Sequence, residues 1–153
     1  MSLENEIALV TGASRGIGQA IALKLGKDGA TVIGTATSSS GAENITQTLK
    51  DNGLKGMGVV MNVTDQSSVD AALEIITGEF GAPSVLVNNA GITRDNLLMR
   101  MKDDEWNDII ETNLTSIFRL SKACLRAMTK ARKGRIISIS SVVGAAGNAC
   151  LLY

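Results

Sequence analysis

The chain has 153 residues, long enough for one domain with a substantial apolar core. Apolar residues make up 44% and charged residues 20%, which is ordinary globular usage and excludes a disordered chain. Fifteen basic residues offset fifteen acidic ones and aromatics are only 3%, so neither charge nor stacking surface argues for nucleic acid or an anionic membrane.

In chain order, short apolar runs alternate with amphipathic segments. Ile7-Ala8-Leu9-Val10 is apolar throughout, as in a strand buried on both faces. A glycine turn follows, then Ile17, Ala20, Ile21 and Leu25 at helical spacing up to Gly29. Thr31 to Ala36 predicts a second strand, and Ala42, Ile45 and Leu49 mark the next helix, closed by Asn52-Gly53. Met57 to Val63 predicts a third strand. Asp65 is placed to cap a helix carrying Val69, Leu73, Ile76 and Phe80. Val85-Leu86-Val87 gives a fourth strand. Asp103 is read as a second cap, before one long helix carrying Trp106, Ile110, Leu114, Ile117, Ser121, Cys124 and Met128. Gly134 is expected to break that helix, and Ile136 to Ile139 makes a fifth strand. This alternation predicts an α/β fold: a doubly wound parallel sheet of Rossmann type, in a single domain over residues 1–153.

No apolar run approaches the roughly 20 residues that span a bilayer, and the start lacks the pattern of a signal peptide. A cytoplasmic location is the expectation. The absence of histidine removes histidine triads, HExxH sites and histidine acid–base catalysis. Cys124 and Cys150 are too few for a disulfide framework or a zinc site, so no metal is expected.

Chemistry concentrates at the first strand–helix junction. Thr11-Gly12-Ala13-Ser14-Arg15-Gly16-Ile17-Gly18 places glycines where a tight turn, a close backbone approach to pyrophosphate and close helix–strand packing are needed. The helix start offers N–H groups and a positive dipole end to phosphate. Dinucleotide-binding folds of this type commonly hold the ribose 2′-hydroxyl with an acid about 20 residues on. Here that region reads Thr35-Ala36-Thr37-Ser38-Ser39-Ser40, with hydroxyls and no acid. With Arg15 as positive partner, the pattern favours NADPH over NADH, although Arg15 also fits a solvated surface residue.

The spacing T-G-x-x-x-G-x-G, followed by Asn88-Asn89-Ala90-Gly91, Asn113 and Ser141 in that order, resembles the short-chain dehydrogenase/reductase superfamily. Ile92 to Met101, Trp106-Asn107-Asp108 and Asn113-Leu114 resemble its bacterial 3-oxoacyl-[acyl-carrier-protein] reductases, up to Asn148. The resemblance implies NADPH-dependent reduction of 3-oxoacyl thioesters on acyl carrier protein in type II fatty-acid synthesis, by a homo-oligomer, tetrameric in the intact family. A related ketoreductase, such as one acting on acetoacetyl-CoA, is the near alternative.

It also implies site roles. Gly12, Ser14, Arg15, Gly16, Ile17, Gly18 and Thr37 would serve the phosphates, Asn62 and Val63 the adenine, and Asn89, Ala90 and Gly91 the nicotinamide side. Ser141 would orient the substrate carbonyl and Asn113 hold a water. By residue type alone, Ser141 equally suits a loop cap and Asn113 a satisfied polar group. The family's proton donor is a tyrosine, assisted by a lysine four residues later. Tyr153 lies twelve residues after Ser141, where this group uses thirteen, and its neighbours Cys150-Leu151-Leu152 depart from the family pattern. Tyr153 is either that tyrosine after a deletion or an unrelated residue, and no lysine follows it. The expectation is therefore a fold cut after its fifth strand and inactive as given. A non-catalytic nucleotide-binding fragment is one alternative, and a subunit that dimerises through the long helix is another. The basic residues Arg126, Lys130, Arg132 and Lys133 are candidates to meet an acidic carrier protein, or simply complement a helix C-terminus.

Overall fold

The computed structural model describes residues 2–147. Five strands form one parallel sheet in the order β3-β2-β1-β4-β5. They are β1 (Ile7–Val10), β2 (Thr31–Ala36), β3 (Gly56–Val60), β4 (Val85–Asn88) and β5 (Arg135–Ser138). The helices between them are α1 (Gly16–Lys27), α2 (Ser39–Asp51) and α3 (Gln66–Glu79), then α4 (Asp103–Ile110) and α5 (Ser116–Ala131), with a short α6 (Val143–Ala146) after β5.

Strand alternation sorts the core into two layers. Leu9, Ile33, Val59 and Leu86 face one side and pack on Val69, Ala72 and Ile76 of α3 and Leu120, Cys124 and Met128 of α5. Ala8, Val10, Val32, Val85 and Val87 face the other and pack on Ala22 of α1 and Ile45 and Leu49 of α2. Helices thus cover both faces, as the uninterrupted apolar strands require. Each fully buried Leu or Ile contributes about 2 kcal/mol of apolar transfer. Burial also pushes the Cys124 thiol up to about 11. Among the described residues no helix is long and apolar enough to cross a membrane.

Four local expectations are corrected. β3 ends at Val60 rather than Val63, because the Asn62 side chain accepts a hydrogen bond from the Thr64 N–H (3.1 Å) and turns the chain. The cap of α4 is Lys102, not Asp103; Asp103 is the first helical residue, and Glu105 Oε2 accepts from the Lys102 N–H at 2.9 Å. The single long helix is divided by a π-helical turn at Glu111–Thr115. Consequently its core-facing residues are Ile109, Ser116, Leu120, Cys124 and Met128, while Trp106 and Leu114 point outward. Finally, α5 stops at Arg132, which adopts a left-handed φ of 52°, two residues before Gly134. The Lys133 N–H then returns to the Met128 carbonyl at 3.1 Å, satisfying an orphan acceptor of the last turn.

Candidate cofactor and substrate cleft

The chain runs outward from β1 through β2 to β3, then returns to place β4 on the opposite side of β1. This reversal leaves the loops after β1 and β4 diverging at a topological switch point, where open α/β sheets bind ligands. The two loops are stitched together. Thr11 Oγ1 accepts from the N–H groups of Asn89 (3.0 Å) and Ala90 (2.9 Å) and donates to the Val87 carbonyl (3.3 Å). Asn89 Nδ2 donates to the carbonyls of Thr11 (2.8 Å) and Gly12 (3.2 Å). Thr35 holds the loop from the other side, its carbonyl accepting from the Ala13 N–H at 2.9 Å.

Two glycines are needed for this approach. Gly12 sits at a φ of +64°, and a Cβ there would lie 3.1 Å from the Ala90 Cα. A Cβ on Gly18 would run into the Gly12 carbonyl and lie 2.5 Å from Asn89 Nδ2. Glycine at both positions lets α1 start directly against the turn. No side chain caps α1 at Arg15, and its first turn carries no acid. Its leading N–H groups and positive dipole end therefore suit an anionic group. A Cβ on Gly16 would meet nothing within 4 Å, so the turn lies open to a ligand there. The donor set thus fits a pyrophosphate.

The start of α2 adjoins this turn. Asn44 Nδ2 donates to the Ser14 carbonyl at 3.3 Å, and Gly41 packs toward Ser14 and Ala36. Arg15, Thr37 and Ser38–Ser40 are all exposed here. Ser38 Oγ is committed as the α2 cap, accepting from the Gly41 N–H at 3.1 Å, which leaves Thr37 and Arg15 as the more available pair.

The Asn62 side chain is also exposed. That of Val63 is 5% exposed and turned into the core, so an adenine would meet backbone and Asn62 rather than the Val63 side chain. After Val63, Asp65 caps α3, accepting from the Ser67 hydroxyl (2.8 Å) and N–H (3.0 Å), and these bonds hold its carboxyl below the usual range.

Beyond β4 a cleft of about 710 Å³ opens, lined by Asn89–Thr93, Asn113, Ile117, Ser138–Ser141 and the start of α6. It brings together Asn89, Ala90, Gly91, Asn113 and Ser141, of which the first and last are more than fifty residues apart in sequence. Asn113 lies in the π-turn. Its Oδ1 accepts from the Ile92 N–H and its Nδ2 donates to the Ile92 carbonyl, both at 2.8 Å. The side chain thus clamps one residue of the cleft wall through the two peptide groups that flank it. Ser116 Oγ donates back to the Thr112 carbonyl at 2.6 Å, a local bond that helps break the α ladder. Ser141 is exposed, and its Oγ accepts from the Val143 N–H at 3.3 Å. Asn88, 5% exposed on the cleft floor, reaches Ser138 Oγ at 3.5 Å, while its Oδ1 has no partner among the described residues. Tyr153 lies outside the described residues.

Three contributors escaped the sequence reading: the Thr11 hydroxyl, Thr35 and the π-turn. Thr11 opens the glycine motif and was legible there; nothing in the residues around Asn113 marks a π-turn.

The chain matches the short chain dehydrogenase family over residues 6–152. It belongs to that family. It is 68% identical over 149 residues to the 3-oxoacyl-[acyl-carrier-protein] reductase FabG of Pseudomonas aeruginosa, covering 97% of this chain and 60% of the relative. The proteins of that name from Vibrio cholerae and Escherichia coli are each 65% identical, again over 97% of this chain and 60% and 59% of theirs. The chain therefore spans about 60% of the length of these curated relatives. The family uses a nicotinamide cofactor, in keeping with the phosphate turn described above.

Proposed function

We propose that this chain supplies the NADPH-binding part, and much of the catalytic cleft, of a cytoplasmic 3-oxoacyl-[acyl-carrier-protein] reductase of type II fatty-acid synthesis. The observation that carries the reading is the switch-point junction: an uncapped helix start and an acid-free β2–α2 corner beside Arg15, opening into a cleft that holds Ser141 and Asn113. NADPH, when bound, supplies the hydride. Ser14, Gly16, Ile17 and Gly18 receive the pyrophosphate on backbone N–H groups, and Gly12, whose N–H donates to Thr35 Oγ1, gives the turn its close approach. Arg15 and Thr37 take the 2′-phosphate, and Asn62 and Val63 border the adenine. Ala90 and Gly91 form the nicotinamide side, with Asn89 acting as the brace that ties this wall to the phosphate turn. Ser141 donates to the substrate carbonyl and polarises it. Asn113 fixes Ile92 and so the shape of the wall. Tyr153 is retained as the candidate proton donor.

The carrier protein meets the end of α5. Lys133 forms an ion pair with Glu6, which leaves Arg126, Lys130 and Arg132 as the outward basic set. Association of like chains uses the exposed stripe of Leu114 in the π-turn and Phe118 and Leu125 on α5.

Titration with NADPH and NADH, beside turnover on acetoacetyl-CoA and a 3-oxoacyl carrier protein, tests the reading. NADPH should bind more tightly than NADH, and Arg15→Ala should weaken NADPH about tenfold while leaving NADH unchanged. Equal binding of both cofactors sinks the NADPH assignment. Binding without turnover would instead fit a nucleotide-binding chain that is not itself a catalyst, and turnover of the coenzyme A thioester alone would favour the related ketoreductase.

A further inference from the structure

The cofactor reading leaves one partly buried cation unexplained. Arg119, on the face of α5 that meets the end of β3, has a side chain only 15% exposed. Its guanidinium takes two acceptors from different elements. Nη1 donates to the Val63 carbonyl at 2.8 Å, and Nη2 donates to Glu111 Oε1 at 2.6 Å. Glu111 opens the π-turn that carries Asn113, and the Arg119 guanidinium holds its carboxyl below the usual range. A planar fork is suited to bridging two such acceptors at fixed angles, which a lysine cannot reproduce.

The Val63 end of this bridge matters most. The turn after β3 is otherwise fixed at its edges: the Asn62 N–H donates to Ser68 Oγ at 2.9 Å, and Asn62 Oδ1 accepts from the Thr64 hydroxyl at 2.9 Å. The Val63 side chain packs in the core cluster with Leu120 and Cys124 of α5, and its carbonyl adds a hydrogen bond from α5 that grips the turn. We infer that Arg119 is a positioning residue for the adenosine half of the cofactor, acting through the Val63 carbonyl to hold the Asn62–Val63 turn in its binding shape. This rests on the NADPH reading above. Among the described residues the Arg119 guanidinium bonds the Val63 carbonyl directly and reaches the Ala90–Gly91 side only through Glu111 and the π-turn, so its direct effect falls on the adenosine half.

The test measures binding of NADPH, of 2′,5′-ADP (the adenosine half) and of reduced nicotinamide mononucleotide (the nicotinamide half) to the wild type, Arg119→Met and Arg119→Lys. Arg119→Met should weaken NADPH and 2′,5′-ADP by about tenfold, the weight of one charge-assisted hydrogen bond, and leave the mononucleotide unchanged. Arg119→Lys, which keeps the charge and one donor and is the milder change for folding, should weaken the first two by about threefold in the same pattern. Equal losses for both halves would reduce Arg119 to a general structural role and overturn the inference, as would no loss at all. Failure of the wild type to bind NADPH would overturn the cofactor reading itself and the inference with it, whereas normal wild-type binding with unselective variants overturns the inference alone.

Discussion

The two walls of the cleft are built differently. The phosphate wall, at the ends of β1 and β2, is held by side chains reaching across the sheet: Thr11, Thr35, Asn44 and Asn89 each bond to a loop far away in sequence. The wall after β5 is held mainly from nearby. β5 is exposed along its whole length, Ser141 bonds only to the N–H groups of Val143 and Gly144, two and three residues on, and the reach from β4 is the Asn88–Ser138 contact with the Ile139 N–H on the Asn88 carbonyl. The shape of the glycine turn is thus held within the described residues, while the position of Ser141 rests on the pairing of β5 with β4. Substitutions in the first wall should cost stability and cofactor binding together, and those in the second should cost much less stability.

The largest effect is expected from Gly18→Ala, because the obstructing atom is a backbone carbonyl with no freedom to move aside. Overpacking of this kind costs about 3 kcal/mol. Denaturant unfolding should show a lower midpoint at unchanged slope, with NADPH binding lost. Thr11→Val follows. It keeps the shape but leaves the Asn89 and Ala90 N–H groups without their acceptor at a position 1% exposed. A loss of roughly 2–3 kcal/mol is expected from unfolding curves. A loss below about 0.5 kcal/mol would show that water replaces the hydroxyl and that the seam between the walls is looser than its geometry suggests.

How much of this was legible in the sequence follows the same division. The strands, the phosphate turn and the sides of the sheet were readable from apolar runs and glycine spacing, because those signals are local and periodic. The ends of elements were less so. Asn62 turns the chain through its own side chain, and Arg132 ends α5 in a conformation seldom adopted by arginine. The π-turn was invisible because its causes, the Asn113–Ile92 clamp and the Ser116 back-bond, pair a residue with a loop twenty-one positions away and with a carbonyl one turn back. That turn shifts the helical phase, which is why Trp106 and Leu114 were grouped with core-facing positions such as Cys124 that they do not share.

Asn113→Leu probes the side of the cleft after β4, which Asn113 pins at Ile92. It removes both bonds to Ile92 from a half-buried site open to the cleft, where water can replace part of what is lost. About 1–2 kcal/mol of stability should go. NADPH binding should fall less than in Thr11→Val, because the phosphate turn keeps its own braces. Equal cofactor losses in the two variants would show that this side and the phosphate wall are not independent.

The smallest effect belongs to Glu6, which ties the segment before β1 to the turn before β5. Its carboxylate pairs with Lys133 and accepts from Ser84 Oγ at 2.7 Å, and those bonds hold it below its ordinary value of 4.5. Lys133 is largely solvent-exposed, so Glu6→Gln should cost only about 0.5–1 kcal/mol near neutral pH. The sign with pH is fixed by linkage. A carboxyl with a lowered folded value binds fewer protons than its unfolded counterpart, so its stabilisation is complete above the unfolded value and drains away as the pH falls through the folded one. Wild type and Glu6→Gln should therefore differ at pH 7 and converge in acid when unfolding is followed across that range. A gap that persists unchanged below the folded value would mean that Glu6 acts through packing on Ser84 rather than through its charge. The tether between the segment before the central strand β1 and the turn before the edge strand β5 would then be steric rather than ionic.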